Sequence, residues 1–494
     1  MMTGFDNNLY IKLQSERIAA RMAQFHNKLY LELGGKLFDD KHASRVLPGF
    51  LPDSKLKMLL ELREQIEIII TISAESIAKN KVRGDLGITY DQELLRLMDA
   101  FHELDFYVSG VIITHYNAQT AAEKFRQKLT SLGINTYLHY NIDSYPRDVE
   151  KIVNDEGFGK NDYFPTSRPL VVITAPGGGS GKMAACLSQL YHEHQRGNIA
   201  GYAKFETFPI WNKPLRHPIN LAYEAATADL DDINMIDAFH LEAYDIQAVT
   251  YNRDAEVFPV LGAIFERIQD HCPYKSPTEM GVNMVGDCII DDEVCQEAAK
   301  QEILRRFYQA HLDMRLGRGS ADVIHKLEIL MQHAAITTKE RRVVAASMER
   351  QVATGHPAAA IQLPCGTIIT GKTSDLLGAM SAALINTLKV LAGIDHDTHL
   401  ISPQAIQPIQ ILKTRYLGGI NPRLHTDEIL IALSASASED PNAHRAMEQL
   451  PRLIGCEAHS SVILSAIDEK IIRRLGINLT CEPVYEAKRL YYKS

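Results

Sequence analysis

A glycine-rich loop between a buried-strand pattern and a helix pattern constrains the fold of this chain more than any other segment. The apolar run LVVITA at 170–175 is followed by the loop PGGGSGK at 176–182, and then by a helical pattern that ends at Gly197. Glycines allow successive backbone N–H groups to turn toward one anion, and the start of a helix adds partial positive charge. The segment therefore predicts a strand, a phosphate-binding loop and a helix. The expected phosphate-binding residues are consecutive in the chain: Gly177, Gly178, Gly179, Ser180, Gly181 and Lys182.

This loop departs at two positions from the nucleotide-binding pattern G-x-x-x-x-G-K-[ST]. Pro176 stands where the first glycine is expected, and Met183 stands where a hydroxyl would bind magnesium. A proline still permits a tight turn, but a thioether is a poor ligand for a hard cation. The residues favour anion binding over ordinary magnesium-dependent ATP hydrolysis, and a purely structural glycine turn stays open as the alternative.

Strand-like and helix-like patterns alternate from the start of the chain to about residue 275. Apolar runs such as LYLEL (29–33), IEIIITI (66–72) and VSGVIITHY (108–116) are separated by amphipathic stretches with apolar residues at helical spacing. Such alternation predicts a doubly wound, mainly parallel sheet that is covered on both faces and binds ligands at the carboxyl ends of its strands. The fold class that we expect is α/β, with a P-loop-like glycine loop in the N-terminal half.

The pattern changes twice in the rest of the chain. Turn formers and then purely helical periodicity occupy 276–355, whereas mixed strand and helix patterns return in 356–494. There, EILIALSA (428–435) has the pattern of a strand, and a long helix is expected from about Asp375 to Ala392. We expect an α/β phosphate-ligand-binding domain at 1–275, a loop and helical connector at 276–355, and a smaller α+β domain at 356–494.

A second segment, from Gly366 to Thr373, matches the nucleotide-binding pattern letter for letter. Its four variable positions are Thr-Ile-Ile-Thr, β-branched residues that favour an extended strand and wrap poorly around a phosphate. A helical pattern follows, so a second anion site at a helix N-terminus is also a hypothesis, with Gly371, Lys372, Thr373 and Ser374 as its residues. Simple N-capping by Thr373 or Ser374 is the alternative.

Polar residues at or near the ends of strand patterns supply the candidate catalytic groups. Lys36 and Asp39 follow the first strand pattern, His240 lies in FHLEAY, and Arg253 and Asp254 follow the strand pattern AVTY. An arginine at such a place suits phosphate or carboxylate binding, and carboxylates and imidazoles exchange protons. Solvated turns and structural ion pairs are the alternative explanations, so the catalytic residues stay open.

Cysteine and histidine near the carboxyl terminus form a weak set of zinc-ligand types. Cys456 and His459 lie in GCEAH and Cys481 lies in TCEP, without an evident fourth ligand. Buried small cysteines are the alternative. The seven cysteines are scattered over a long chain, which favours reduced thiols over a disulfide framework. We therefore expect no bound metal, and we expect Cys456 and Cys481 to be free or metal-bound thiols rather than a disulfide.

Composition limits the partners and the compartment. The formal net charge of −9 provides no basic excess for nucleic acid. No run approaches the roughly 18 consecutive apolar residues of a membrane helix, and the first residues are polar and amphipathic rather than a secretion signal. We expect a cytoplasmic protein that binds a small phosphate-bearing molecule, with no nucleic-acid or membrane partner, and a homo-oligomer is left open.

Long strings over almost the whole chain resemble a bacterial family, uncharacterised protein family 0371 or domain of unknown function 1846. The strings are LYLELGGKLFDDKHASRVLPGF, DLGITYD, DEGFGKNDYFPTSRPLVVITAPGGGSGKMA, AGYAKFETFPIWN, HPINLAYEAATADL, GKTSDLLGA and LGINLTCEP. The resemblance implies a soluble bacterial protein in which the loop Gly177–Lys182, followed by Met183, is the usual form. It implies no reaction, although members have at times been labelled ATP-dependent peptidases.

Three classes of function fit these residues. The leading one is an enzyme, a transferase or hydrolase, that acts on a phosphorylated metabolite or nucleotide held by Lys182 and the amides of residues 178–181. One alternative is an ATP-dependent hydrolase of peptides or amides, whose turnover needs a divalent metal. The other is a non-catalytic nucleotide-binding sensor that signals to a partner protein through the helical middle segment.

Overall fold

The structure of the chain is a computed structural model that describes residues 3–486, except residues 27, 36, 39, 84, 85 and 144. The described residues form two compact units. The N-terminal unit contains residues 3–224 and 230–298, and the C-terminal unit contains residues 225–229 and 299–486. The glycine loop and the second anion-site candidate therefore belong to different units. The division into three parts that the sequence suggests stays a prediction.

Most strands belong to the N-terminal unit. They are β1 (Leu29–Leu33), β2 (Ile66–Ser73), β3 (Val82–Arg83), β4 (Ile88–Thr89), β5 (Tyr107–Tyr116), β6 (Thr136–Tyr140), β7 (Leu170–Thr174), β8 (Gly201–Phe205), β9 (Asn234–Ile236), β10 (Val249–Tyr251) and β11 (Gly281–Val282). The strands of the C-terminal unit are β12 (Ala358–Gln362), β13 (Ile368–Lys372), β14 (Glu457–Ser460) and β15 (Asn478–Cys481).

The helices follow the strands closely in the first half of the chain and dominate the middle. In chain order they are α1 (Asn7–Gln24), α2 (Lys41–Val46), α3 (Ser54–Glu61), α4 (Ala74–Ala78), α5 (Tyr90–Glu103), α6 (Thr120–Ser131), α7 (Val149–Ile152), α8 (Lys182–Gln195), α9 (Pro218–Ala226), α10 (Ala238–Tyr244), α11 (Asn252–Gln269), α12 (Pro277–Met280), α13 (Asp292–Arg315), α14 (Ala321–His333), α15 (Arg342–Thr354), α16 (Ala379–Ala392), α17 (Pro403–Ile411), α18 (Thr426–Ser436), α19 (Pro441–Met447) and α20 (Ala466–Arg474). Among the described residues, no helix is both long and apolar enough for a membrane crossing.

Seven parallel strands form the main sheet, in the order β11-β8-β1-β7-β2-β5-β6. Strand β7 lies in the middle and pairs with both β1 and β2. From β1 the chain continues to β2, β5 and β6 on one side of the sheet, and from β7 it continues to β8 and β11 on the other side. This arrangement confirms the predicted doubly wound parallel sheet.

Helices cover both faces of this sheet. Strands β2 and β7 are buried at every position, as central parallel strands are when helices pack on either side. On one face, Tyr30 of β1 donates a 2.6 Å hydrogen bond to Glu193 of α8. On the other face, Lys55 of α3 lies over the ring of Phe205 in β8, 5.9 Å from its centroid. The apolar residues of these strands therefore pack in a two-sided core.

The C-terminal unit is built on a four-stranded mixed sheet in the order β13-β12-β14-β15. A buried arginine anchors the segment before α15 to this sheet. The guanidinium of Arg341 contacts Glu457 Oε2 at 2.6 Å and Thr480 Oγ1 at 2.9 Å, and it also donates to the carbonyl oxygens of Ala458 and Asn478. These contacts confirm the expected smaller α+β part with a core of its own.

The predicted strand at 428–435 is wrong, because these residues lie in α18. Burial falls on Ile429, Ala432 and Leu433, which are spaced by three and four residues, whereas Ile431 is 69% exposed. This is the periodicity of a helix that packs one face against a core. β-branched residues were a misleading signal here, because the packing decides the conformation.

Candidate functional site

The glycine loop follows the carboxyl end of β7, the middle strand of the main sheet. The neighbouring strands β1 and β7 continue in opposite directions across the sheet, since β1 leads to β2 and β7 leads to β8. In doubly wound sheets, ligands bind in the crevice outside such a pair of strand ends. The loop therefore borders the expected ligand crevice together with Gly34 and Gly35, which follow β1.

Two threonines of neighbouring strands fix the conformation of the loop. Thr114 of β5 donates a 2.8 Å hydrogen bond to the carbonyl oxygen of Ser180, and Thr71 of β2 lies 3.4 Å from the Ser180 hydroxyl. Gly179 and Gly181 have φ angles of 73° and 75°, the left-handed region that favours glycine. A Cβ atom on Gly181 would also lie 3.1 Å from the side chain of Thr114. Glycine is thus required at position 181 by the positive φ angle and by the close approach of Thr114.

The backbone amides of the loop lack protein acceptors. Within the described part of the chain, no N–H group of residues 177–181 donates a hydrogen bond to another protein atom. Helix α8 begins at Lys182, and no side chain caps its first turn. Gly178 and Gly179 are exposed, and no described side chain forms an ion pair with Lys182. Free donors and positive charge are therefore concentrated at one place.

The residues on either side of these donors are apolar or aromatic. Met183, the residue after the lysine, packs against the core. Its side chain is a thioether, so this position carries no hydroxyl. The phenol of Tyr90, at the start of α5, lies directly against Gly177 and leaves no room for a side chain there. The loop thus presents backbone donors and Lys182 rather than oxygen ligands.

A buried lysine and three carboxylates lie near the end of β8, two strands from the loop. Lys204 Nζ is 2.7 Å and 2.8 Å from the carboxylate oxygens of Asp254 in α11, and 2.8 Å from Glu206 Oε1. Glu32 is the register partner of Lys204 on β1 and accepts a 2.7 Å hydrogen bond from the phenol of Tyr202. One ammonium group therefore faces three carboxyl groups.

The pKa values within this charged cluster differ from their ordinary values. Burial raises the pKa of Glu206 to about 7, and Asp254 and Glu32 add to the rise while Lys204 opposes it. Burial disfavours the charged form of Lys204, but Glu206 and Asp254 outweigh this effect and raise its pKa above its usual value. Lys204 therefore stays charged, whereas Glu206, whose side chain is 25% exposed, gains and loses a proton near neutral pH.

A group of packed aromatic rings lies next to Glu206. The rings of Phe208 and Tyr223 are stacked, with centroids 4.9 Å apart and an interplanar angle of 21°. His42 and Tyr251 continue the group, at 5.3 Å from Phe208 and 5.7 Å from Tyr223. Burial raises the pKa of Tyr223 to about 12, and the charge of Glu206 adds to this rise. The rings give the charged cluster an apolar wall.

The structure brings one of the five catalytic candidates, Asp254, into the charged cluster. Arg253 precedes it but is 57% exposed, with Nη1 3.3 Å from Asp232 Oδ1. Lys36 and Asp39 lie outside the described residues, so their place in the crevice stays a prediction. The ion pair with Lys204 of β8 holds the carboxylate of Asp254 in this cluster.

His240 has the contacts of a structural residue. Its ring is buried, with Nδ1 2.8 Å from the hydroxyl of Ser276. The ring also packs against Trp211, at 6.1 Å between centroids. The contacts with Ser276 and Trp211 explain the position of the His240 ring.

Sequence reasoning missed Glu32, Lys204 and Glu206. The available signal was a charged residue inside a buried-strand pattern, in LYLEL for Glu32 and in GYAKF for Lys204. Ionisable groups are rarely buried unless they are paired, so such positions indicate a partner that the fold supplies.

The second anion-site hypothesis rests on a wrong premise. Gly371 and Lys372 lie within β13, and α16 begins only at Ala379, so they do not form a helix N-terminus. A Cβ atom on Gly371 would collide with the backbone of α16 at Ala383. Ser374 accepts hydrogen bonds from the amides of residues 376 and 377. Glycine at 371 is explained by the close packing of a helix on a strand, and anion binding by Gly371–Ser374 is left without structural support.

The zinc-type residues have other partners. His459 is buried, with Nδ1 2.9 Å from Thr480 Oγ1 and Nε2 3.3 Å from Glu482 Oε1, and burial lowers its pKa. Cys456 and Cys481 are buried free thiols. Among the described residues, no three or more His, Cys, Asp and Glu side chains are grouped to hold a metal ion. The absence of a bound metal stays a prediction.

Comparisons with known proteins cover nearly the whole chain. Residues 3–335 match the family model described as domain of unknown function DUF1846, N-terminal, and residues 339–491 match its C-terminal counterpart. A UPF0371 protein of Streptococcus uberis is 55% identical over 489 residues, which are 99% of this chain and 99% of that relative. A UPF0371 protein of Streptococcus pyogenes serotype M28 is similar to the same extent, at 55% identity over 489 residues and 99% of each chain.

Proposed function

This chain belongs to the DUF1846 family, and from the geometry of its crevice we propose that it binds a nucleotide or phosphorylated metabolite at the glycine loop and acts on it as an enzyme. The phosphate would accept hydrogen bonds from the amides of residues 177–181 and lie beside Lys182. The remainder of the ligand would extend over Gly34 toward Glu206.

One observation carries this proposal: the described part of the chain supplies no acceptor for the amides of residues 177–181, which lead directly into the uncapped start of α8. A phosphate offers several acceptor oxygens to such a row of donors, and the helix start and Lys182 supply positive charge. A glycine turn that served only the fold would not need this concentration of free donors. The position at the middle of a doubly wound sheet agrees with this assignment.

The chemistry of the loop separates phosphate binding from metal binding. The thioether of Met183 packs against the core and is a poor ligand for magnesium. Affinity for the phosphate is therefore proposed to depend on Lys182 and the backbone amides. This feature favours the present proposal over an ATP-dependent hydrolase that relies on a hydroxyl at this position.

Glu206 supports an enzyme rather than a passive sensor. Its carboxyl group exchanges a proton near neutral pH, which is the property of a general acid or base. Strand β1 separates β7 from β8, so Glu206 lies about 10 Å from the end of β7, from two strand spacings of roughly 4.8 Å. A ligand held at the loop and acted on by Glu206 would therefore extend across the end of β1.

A thermal-shift screen of the full chain against nucleotides, sugar phosphates and phosphorylated coenzymes tests the proposal. A ligand at 100 times its dissociation constant stabilises the folded state by roughly 2.7 kcal/mol. Calorimetric titration then compares Lys182→Ala with Met183→Ala as the matched control. Loss of one charge-assisted contact of about 1.5–3 kcal/mol should weaken binding by roughly 10- to 150-fold in Lys182→Ala. Met183→Ala should keep near wild-type affinity.

Each possible result of this screen has a definite meaning. Unchanged affinity in Lys182→Ala, or no stabilisation by any phosphate compound, contradicts the proposal. Wild-type binding that disappears when divalent metal is removed would favour the ATP-dependent hydrolase. Tight binding without turnover of the ligand would favour the sensor.

A further inference from the structure

The end of β8 holds more negative than positive charge. Glu32, Glu206 and Asp254 surround the single ammonium group of Lys204, and Glu32, Lys204 and Asp254 are each buried. Unbalanced charge in a buried place is unfavourable, and a carboxyl group relieves it by holding a proton. Glu206 is the most exposed carboxyl group of this cluster, with a quarter of its side chain open to solvent.

Charged and titratable groups face Glu206 from every element that packs against it. They are Lys204 and Glu32 on β8 and β1, Arg253 and Asp254 on α11, Tyr223 on α9 and Tyr251 on β10, and, next to Tyr223, His42 and the ion pair of Lys55 with Asp40. Burial raises the pKa of both tyrosines, so they stay neutral. Asp40 neutralises Lys55 at 2.7 Å, and Asp232 pairs with Arg253. Among the described residues, the carboxylates therefore outweigh the cations around Glu206.

We propose that Glu206 is the general acid of this site and that it takes up its proton when an anion binds at the glycine loop. The inference rests on the proposed function, since it needs an anion at the loop. The negative charge of an anion at the loop repels the Glu206 carboxylate and therefore favours its protonated form. Binding of the ligand thus protonates Glu206, and this proton is then donated in the reaction.

The proton on Glu206 then serves a leaving oxygen of the ligand. The O–H bond of Glu206 breaks, a ligand O–H bond forms, and the electron pair of the cleaved ligand bond stays on that oxygen. Glu206 returns to the carboxylate that pairs with Lys204. Water, which adds to the other fragment, returns a proton to Glu206. The substrate class is therefore a phosphorylated small molecule that undergoes hydrolysis with an oxygen leaving group.

Calorimetric titration of the full chain with sulfate at pH 7.5 tests this coupling without a known substrate. Sulfate binds at helix N-termini as phosphate does, and it has no proton to exchange at this pH. Titrations in two buffers of different ionisation enthalpy, at constant ionic strength, give the number of protons taken up. We expect the wild type to take up protons on binding sulfate, at most about three quarters of one per bound sulfate, because a group with a pKa of about 7 is already about one quarter protonated at pH 7.5. Glu206→Gln should still bind sulfate but take up almost none.

Two further variants complete the design. Glu242→Gln, which alters an exposed carboxylate on α10, should keep the wild-type proton uptake. Asp254→Asn removes one of the repelling carboxylates and should reduce the uptake, which keeps the test valid if Glu206→Gln does not fold. Sulfate binding without proton uptake, or full uptake in Glu206→Gln, overturns this inference and leaves the proposed function standing. Absence of sulfate binding overturns both.

Discussion

Replacing Gly181 by alanine should destabilise the N-terminal unit far more than the same change three residues earlier. At φ of 75°, an L-residue costs about 1–2 kcal/mol relative to glycine. The added methyl group would lie 3.1 Å from the side chain of Thr114, so this threonine must move. Its 2.8 Å hydrogen bond to Ser180, with a net value of about 0.5–1.5 kcal/mol, is then lost or stretched. The expected total is about 2–3 kcal/mol.

Gly178→Ala is the matched control, because a Cβ atom at Gly178 has no neighbour within 4 Å and the backbone is not left-handed there. Its effect should stay within about 0.5 kcal/mol. Trp211 is the single tryptophan of the chain and lies in the N-terminal unit, so its fluorescence during urea unfolding reports on that unit alone. Equal urea midpoints for Gly178→Ala and Gly181→Ala would refute the explanation that the φ angle of Gly181 and its contact with Thr114 require glycine.

Three other predictions concern the C-terminal unit. Cys365 is exposed whereas the other cysteines are buried or half-buried, so limited alkylation should add one label by mass, and Cys365→Ser should remove it. The hydrogen bond that His425 donates to Asp468 raises the pKa of His425 above 6.5, so the stabilisation from this pair is complete below pH 6.5 and is lost as pH rises through the folded pKa. Urea unfolding followed by circular dichroism should show this loss in the wild type and not in His425→Ala. Arg341→Met removes one of the two guanidinium partners of Glu457, which keeps Arg305, and should lower the free energy of unfolding by about 1–3 kcal/mol, again by urea unfolding.

The sequence predicted what depends on local pattern. Strands β2 and β7 consist mainly of Ile, Leu and Val and are buried at every position, so composition alone indicates central parallel strands. The glycine loop marks the boundary between β7 and α8 in the same way. The charged cluster could not be predicted, because it depends on the register that places Glu32 beside Lys204 and on the packing of α11 that brings Asp254 to the lysine. Both are long-range features.

Local pattern also misled at two places in the C-terminal unit. A complete nucleotide-binding pattern surrounds Gly371, yet this glycine is needed where α16 crosses β13 closely. The isoleucines of α18 suggested a strand, although the capping interaction of Glu428 with the His425 amide, at 2.7 Å, marks a helix start. In the first case the close packing of a neighbouring helix determines the local structure, and in the second case a capping contact in the first helical turn determines it. Residue propensities describe neither contact.

The central position of β7 determines the order in which the main sheet can assemble. Strands β1 and β2 both pair with β7, which the ribosome makes only after β2, β5 and β6. Until it emerges, a nascent chain carries two unpaired strand edges of apolar sequence, which are sites for aggregation. Truncation before residue 170 should therefore give insoluble protein, and a chaperone that shields nascent chains would be needed most during that interval.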